Sequence, residues 1–173
     1  MIFVGGASGT GKTTAIERFV ARHSDFIHLR ASKILSDQKR PLQNLSFADL
    51  EENQLVLRKT LLASNLRSKV ILDGHVTIPL AGAFYNVPVS FFDQLPLSAL
   101  IFLWTDPKIL LQRKGATADP HDVKVIEELQ RTECQQMQFV ASHRNCPFDT
   151  VNAIEEHVLE KLLLKRGEGV ALI

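Results

Sequence analysis

The sequence predicts an α/β fold, a five-stranded parallel sheet with helices on both faces. Three observations carry this expectation. Short apolar runs at residues 2–4, 26–29, 70–73, 100–104 and 148–152 alternate with stretches of helical periodicity, the pattern of repeated strand–helix crossovers. Val70-Ile71-Leu72 is apolar without interruption, as expected for a strand covered on both faces. Finally, a glycine-rich stretch separates the first run from the first helix, Gly6-Ala7-Ser8-Gly9-Thr10-Gly11-Lys12-Thr13.

The elements follow in order. Ile2-Phe3-Val4 is the first strand, and residues 12–23 form a helix that places Ile16, Phe19 and Val20 on one face. Residues 26–29 are the second strand, and Ala31 to Leu35 a short helix. After a loop at Lys39 to Leu45, Ser46 reads as an N-cap with Asp49 at the capping-box position. The helix behind it carries Leu50, Leu55, Leu57, Leu61 and Leu62 and is expected to run to about Asn65. Residues 74–98 read as a long aromatic connection. Asp106-Pro107 and Asp119-Pro120 each start a helix, with proline at the tolerated first turn. The last helix is expected over Ile154 to Lys165, with residues 166–169 fraying.

Length and composition fit one domain over residues 1–173. A net charge of +1 supplies no field to recruit nucleic acid or an anionic membrane, so direct nucleic-acid binding is not expected. No apolar run approaches bilayer-spanning length. Cys134 and Cys146 lack metal-ligand or redox-motif spacing. The first strand begins at residue 2, leaving no room for a leader, and a cytoplasmic chain is expected.

The stretch Gly6 to Thr13 is G-x-x-x-x-G-K-T, a phosphate-binding loop in its required strand–loop–helix context. Its glycines let backbone N–H groups converge on a phosphate chain, Lys12 adds a cation, and the Thr13 hydroxyl can ligate Mg²⁺. The helix dipole at Thr13 and Thr14 favours the same anion. In parallel sheets, ligands sit beyond the carboxyl ends of the strands, which places the loop, Asp73, Trp104 to Asp106 and Asn152 on one rim. Asp73, at the tip of its strand, suits holding Mg²⁺ through water or orienting the attacking group. His75 can hydrogen-bond an acceptor or a water, or cap the turn after Gly74.

These residues resemble the P-loop nucleoside monophosphate kinases, and more closely the compact archaeal-type and nuclear adenylate kinases. The similarity rests on the loop with Thr14, on Val70-Ile71-Leu72-Asp73-Gly74-His75, on Trp104-Thr105-Asp106 to Gln112-Arg113, on Val125 to Leu129, and on Val151-Asn152-Ala153. It spans residues 1 to 160. It implies a P-loop NTPase fold with the Asp73 strand beside the loop strand, ATP as donor, Mg²⁺ as cofactor and a nucleoside monophosphate as acceptor. Gly6, Ser8, Gly9, Thr10, Gly11, Lys12, Thr13 and Thr14 would hold the donor phosphates, and Asn152 and Ala153 would meet adenine. Thr13 and Asp73 would hold the metal, with Lys12, Asp73, His75 and Arg113 as the catalytic set and a short lid near residues 113–119.

The sequence departs from that pattern in its cations. The lid stretch has one arginine, Arg113, with Lys114, Lys124 and Arg131 as substitutes for a second. No lysine or arginine stands between residues 70 and 107. The acceptor's cation must come from Arg30, Lys33, Lys39, Arg40 or Arg58, and Arg30 and Arg40 are favoured. Tyr85 lies where the archaeal-type enzymes cover the acceptor base; Phe91 and Phe92 suit core packing better. Two functions follow: phosphoryl transfer to a nucleoside monophosphate or another small-molecule acceptor, or a nucleotide-dependent switch or assembly ATPase acting on a protein partner.

Overall fold

The computed structural model describes residues 1–64, 69–80, 82–116 and 119–168. Five strands, β1 (Ile2–Gly5), β2 (Phe26–Arg30), β3 (Lys69–Asp73), β6 (Ala99–Trp104) and β7 (Phe148–Asn152), form one parallel sheet in the order β2-β3-β1-β6-β7. A separate antiparallel hairpin pairs β4 (Thr77–Leu80) with β5 (Ala83–Asn86). The helices are α1 (Lys12–Arg22), α2 (Ala31–Asp37), α3 (Phe47–Ala63), α4 (Val89–Phe92), α5 (Pro107–Arg113), α6 (Pro120–His143) and α7 (Glu156–Glu168).

The sheet divides the apolar side chains between two cores by the two-residue period of its strands. Ile2, Val4, Ile71, Ile101 and Leu103 point to one face and pack with Ile16 and Phe19 of α1 and Leu159 and Leu163 of α7. Phe3, Leu72, Leu100 and Phe102 point to the other, against Leu50, Leu57 and Leu61 of α3, Phe91 and Phe92 of α4, and Met137 and Val140 of α6. Both faces are therefore covered, which is why β1 and β3 read as unbroken apolar runs.

Several expectations are sharpened or corrected. Ser46 and Asp49 close the capping box reciprocally at 3.0 and 3.1 Å. Leu55 and Leu62 stay exposed, because the buried stripe of α3 is Leu50, Leu57 and Leu61. The helix ends at Ala63, and Asn65 lies outside the described residues. The connection at 74–98 is not irregular throughout: it holds the β4–β5 hairpin and α4. Strands of four residues with Pro79 inside give almost no sequence signal, and proline survives there because the hairpin has free edges. The last helix runs on to Glu168 rather than fraying at residue 166. Arg166 clasps Asp149 through two hydrogen bonds of 2.9 and 3.0 Å, and Gly167 packs so closely on Phe26 that a Cβ there would lie 2.4 Å from the ring. Gly169, and residues 117 and 118 of the expected lid, lie outside the described residues.

Candidate functional site

The loop between β1 and α1 turns on three glycines with positive φ, Gly6 (143°), Gly9 (93°) and Gly11 (98°). At Gly6 the requirement is also steric, since a Cβ would sit 2.1 Å from the Leu103 carbonyl oxygen. Gly11 caps α1 without a side chain, and the first turn of α1 holds no acid, so its N–H groups face the cleft electropositively. Lys12 is buried, and its Nζ donates to the carbonyls of Gly6 and Ala7 (3.2 Å to Ala7). Burial lowers the Lys12 pKa, while the nearby carboxylates of Asp73 and Glu133 oppose that shift.

Asp73 ends β3 opposite Val4 of β1, so strand pairing delivers it to the loop. The Thr13 hydroxyl donates to Asp73 Oδ2 at 2.5 Å. His28 Nε2 lies 3.6 Å from the same oxygen, inside the sheet rim. Burial by itself would raise the Asp73 pKa, but His28, the Lys12 charge and the Thr13 hydroxyl outweigh it, and the carboxyl is held below its ordinary value.

Two side chains that the sequence reading passed over complete the rim. Glu133 of α6 is fully buried; its Oε1 accepts from the N–H groups of Gly6 (3.2 Å) and Val76 (3.3 Å) and lies 3.5 Å from His75 Nδ1. One turn earlier, Gln130 brackets Thr105, accepting from its N–H (3.0 Å) and donating to its carbonyl (2.9 Å). A signal existed: Ile126, Leu129, Gln130, Glu133, Met137 and Val140 share the buried stripe of α6, where an acid is out of place unless it is satisfied. Across the loop, Arg113 Nη1 donates to the carbonyls of Gly9 (3.1 Å) and Thr10 (3.0 Å).

The loop, Asp73, His75 and Arg113 open onto a cleft of about 850 Å³, with Glu133 and Gln130 behind them. Of the expected site residues, Ser8, Gly9, Thr10, Gly11, Lys12, Thr13, Thr14, Asp73, His75, Arg113, Arg30 and Ala153 line it. Gly6 lies beneath, bonded to Glu133. Asn152 is half-buried beside the rim, its Oδ1 accepting from the Ile154 N–H at 3.3 Å. Arg40 and Tyr85 do not line the cleft. Arg40 is occupied by Asn53 (2.9 Å), Glu52 (2.9 Å) and Asp49 (3.6 Å), so it pins the loop before α3 to that helix. Tyr85 is buried in the core, with its ring edge-to-face on Phe47. Gln54 and the buried Asn53 of α3, two amides absent from the sequence expectations, also line the cleft.

A parallel sheet of this order, with a glycine loop, lysine and threonine at the end of β1 and an aspartate at the end of β3, is a P-loop NTPase-like kinase fold. The chain belongs to the AAA domain family, which matches residues 5–130. It is similar in structure to a gluconokinase from Sinorhizobium meliloti 1021, with 14% identity, a TM-score of 0.57, and coverage of 98% of this chain and 92% of that one. It is also similar to an uncharacterized protein from Eubacterium ventriosum ATCC 27560, with 10% identity, a TM-score of 0.56, and coverage of 96% and 97%. No curated protein matches the sequence. Among the described residues, no helix is long and apolar enough to cross a membrane.

Proposed function

We propose that the chain transfers the terminal phosphoryl group of ATP, with Mg²⁺, to a small-molecule acceptor, and that the acceptor is a nucleoside monophosphate, as in adenylate kinase-like enzymes. The observation that carries this reading is the shape of the cleft. It is one continuous space whose donor half is the phosphate loop and whose other half is built from α2 and α3, with Thr13 and Asp73 at the junction. Its volume suits small ligands. A hydrolase that only switches a protein partner has no use for that second half.

The metal fits the donors present. Mg²⁺ prefers oxygen ligands and is held by one or two protein groups together with substrate phosphates. The hydroxyl of Thr13 and the carboxylate of Asp73 are such a pair, beside the loop. When bound, the cation neutralises charge developing on the phosphate oxygens. Lys12 would leave the Gly6 and Ala7 carbonyls for the outer phosphates, and Arg113 braces the loop by holding the carbonyls of Gly9 and Thr10. Arg30 would hold the acceptor's phosphate, and Gln54 its base edge.

A second reading, transfer to an acceptor without a phosphate group, is favoured by one observation. Among the described residues, Arg30 is the cation lining the acceptor half, and it leans toward Glu17 at 3.7 Å. A coupled assay with Mg·ATP across nucleoside monophosphates, gluconate and small alcohols separates the two. Turnover with AMP or another monophosphate supports the first reading, and turnover with a non-phosphorylated acceptor supports the second. Hydrolysis that no acceptor stimulates would reject both in favour of a switch ATPase.

A further inference from the structure

The buried carboxylate of Glu133 stands at the junction of the two halves of the site without touching the cleft itself. A buried charge with incomplete pairing is costly, so it persists only where several groups depend on it. Its Oε1 accepts from Gly6 N–H, the first residue of the phosphate loop, and from Val76 N–H, the residue after His75. The same oxygen lies 3.5 Å from Nδ1 of His75, whose ring lines the cleft. Its Oε2 is buried and has no hydrogen-bond partner among the described residues.

We propose that Glu133 is a positioning residue: it selects the Nδ1–H tautomer of His75, leaving the Nε2 lone pair for the cleft, and it ties His75 to the phosphate loop through Gly6. A carboxylate has lone pairs and no proton to offer, so the imidazole nitrogen facing it is the one that carries hydrogen. The other nitrogen then keeps its lone pair, the form able to accept a hydrogen bond from an acceptor hydroxyl or a water. One oxygen thus bridges Gly6 and the His75 segment, adding a side-chain tie to the backbone bond from Gly74 N–H to the Val4 carbonyl (3.2 Å). Gln130, on the same face of α6, holds the end of β6 in the same way, so α6 fastens the carboxyl ends of β1, β3 and β6.

The functional half of this proposal rests on the reading of His75 as a group that meets the acceptor or a water; the tautomer does not. The first experiment therefore needs no activity. Nitrogen-15 spectra of the histidine rings in the intact protein are recorded at alkaline pH, with His75→Ala assigning the signal. A protonated Nδ1 is expected in the wild type and in Glu133→Gln, whose amide oxygen still accepts, with a shift toward the Nε2–H form in Glu133→Met, which keeps the length and removes the acceptor. An Nε2–H ring in the wild type, or an unchanged ring in Glu133→Met, overturns the proposal.

The second experiment is a double-mutant cycle on ATP turnover. Glu133→Gln keeps an oxygen acceptor for Gly6 and Val76, so the thermal shift produced by Mg·ADP should stay close to wild type, whereas Glu133→Met, which leaves the His75 ring without an acceptor, should lower kcat about tenfold. The double variant Glu133→Met/His75→Ala should be no slower than His75→Ala by itself. Losses that multiply would show that Glu133 acts independently of His75 and would reject the positioning role. If the wild type shows no turnover, the functional reading fails, while the tautomer result still decides the role of Glu133.

Discussion

Thr13 Oγ1 donates a hydrogen bond of 2.5 Å to Asp73 Oδ2, across sixty residues of sequence. The contact joins the first turn of α1 to the tip of β3, and it exists because β1 and β3 are paired with Val4 opposite Asp73. Two hard oxygens are thereby placed side by side at the mouth of the phosphate loop.

If that pair holds Mg²⁺, Asp73→Asn should weaken Mg·ATP binding about tenfold, equivalent to about 1.4 kcal/mol. The rise in Tm on adding saturating Mg·ATP should be smaller in the variant by about 3–6 °C for a chain of this size. With EDTA in place of Mg²⁺ the two proteins should show the same shift. A difference that survives chelation would mean that Asp73 acts without the metal.

The same carboxyl makes stability depend on pH. Its folded pKa is held below the unfolded value, against the opposing effect of its burial. As the pH falls, the unfolded chain takes up this proton first, near its ordinary value of about 4. The stabilisation is therefore complete above about pH 4 and is lost as pH drops toward the lower folded pKa. Thermal melts of wild type and Asp73→Asn between about pH 6 and pH 2 should show the wild-type advantage shrinking only in the acid part of that range. A gap that widens with acidity would contradict this.

Gly6 has two reasons to be glycine, a φ of 143° and a Leu103 carbonyl oxygen 2.1 Å from where a Cβ would stand. Gly6→Ala should cost about 3 kcal/mol or more, because both the backbone and the neighbouring strand must shift. That corresponds to a fall in Tm of about 6–12 °C. Gly74→Ala is the control: its Cβ would meet the Phe3 ring and the Ala31 methyl at 3.3–3.4 Å, so its cost should be much smaller. Equal losses in the two would remove the steric argument.

Arg30 and Arg40 looked equivalent in sequence and should behave oppositely. Arg40→Ala removes the cation shared by Asn53 Oδ1, Glu52 and Asp49 and should destabilise the fold by about 1–3 kcal/mol, read as a lower Tm. Arg30 has one long contact, to Glu17, and lines the cleft. Arg30→Ala should leave Tm within about 1–2 °C of wild type. With a phosphorylated acceptor it should raise the acceptor KM about tenfold or more. An unchanged KM would favour an acceptor without a phosphate.

Much of this protein is written locally. The chain of Gly6 to Thr13 states its purpose in eight consecutive residues, because a phosphate-gripping turn needs those residue types in that order. The central strands β1, β3 and β6 are legible because burial on both faces leaves apolar runs in them, while the edge strands β2 and β7 carry polar residues among the apolar ones. Asp73 is legible because an acid at the end of such a run has to emerge on the rim. The β4–β5 hairpin is not, since four-residue strands containing proline carry no periodicity to read.

By itself, then, the sequence determined the order of the five sheet strands, the parallel sheet and the phosphate loop, all of which follow from short-range pattern and chain stereochemistry. The tertiary structure decided which polar groups share the site. Glu133 meets Gly6 across 127 residues and Val76 across 57. Arg40 turns to α3 while Arg30 faces the cleft, and Tyr85 packs on Phe47. No local pattern encodes such meetings, because they depend on how separate elements are stacked, and a hydrogen bond is decided within a few tenths of an ångström.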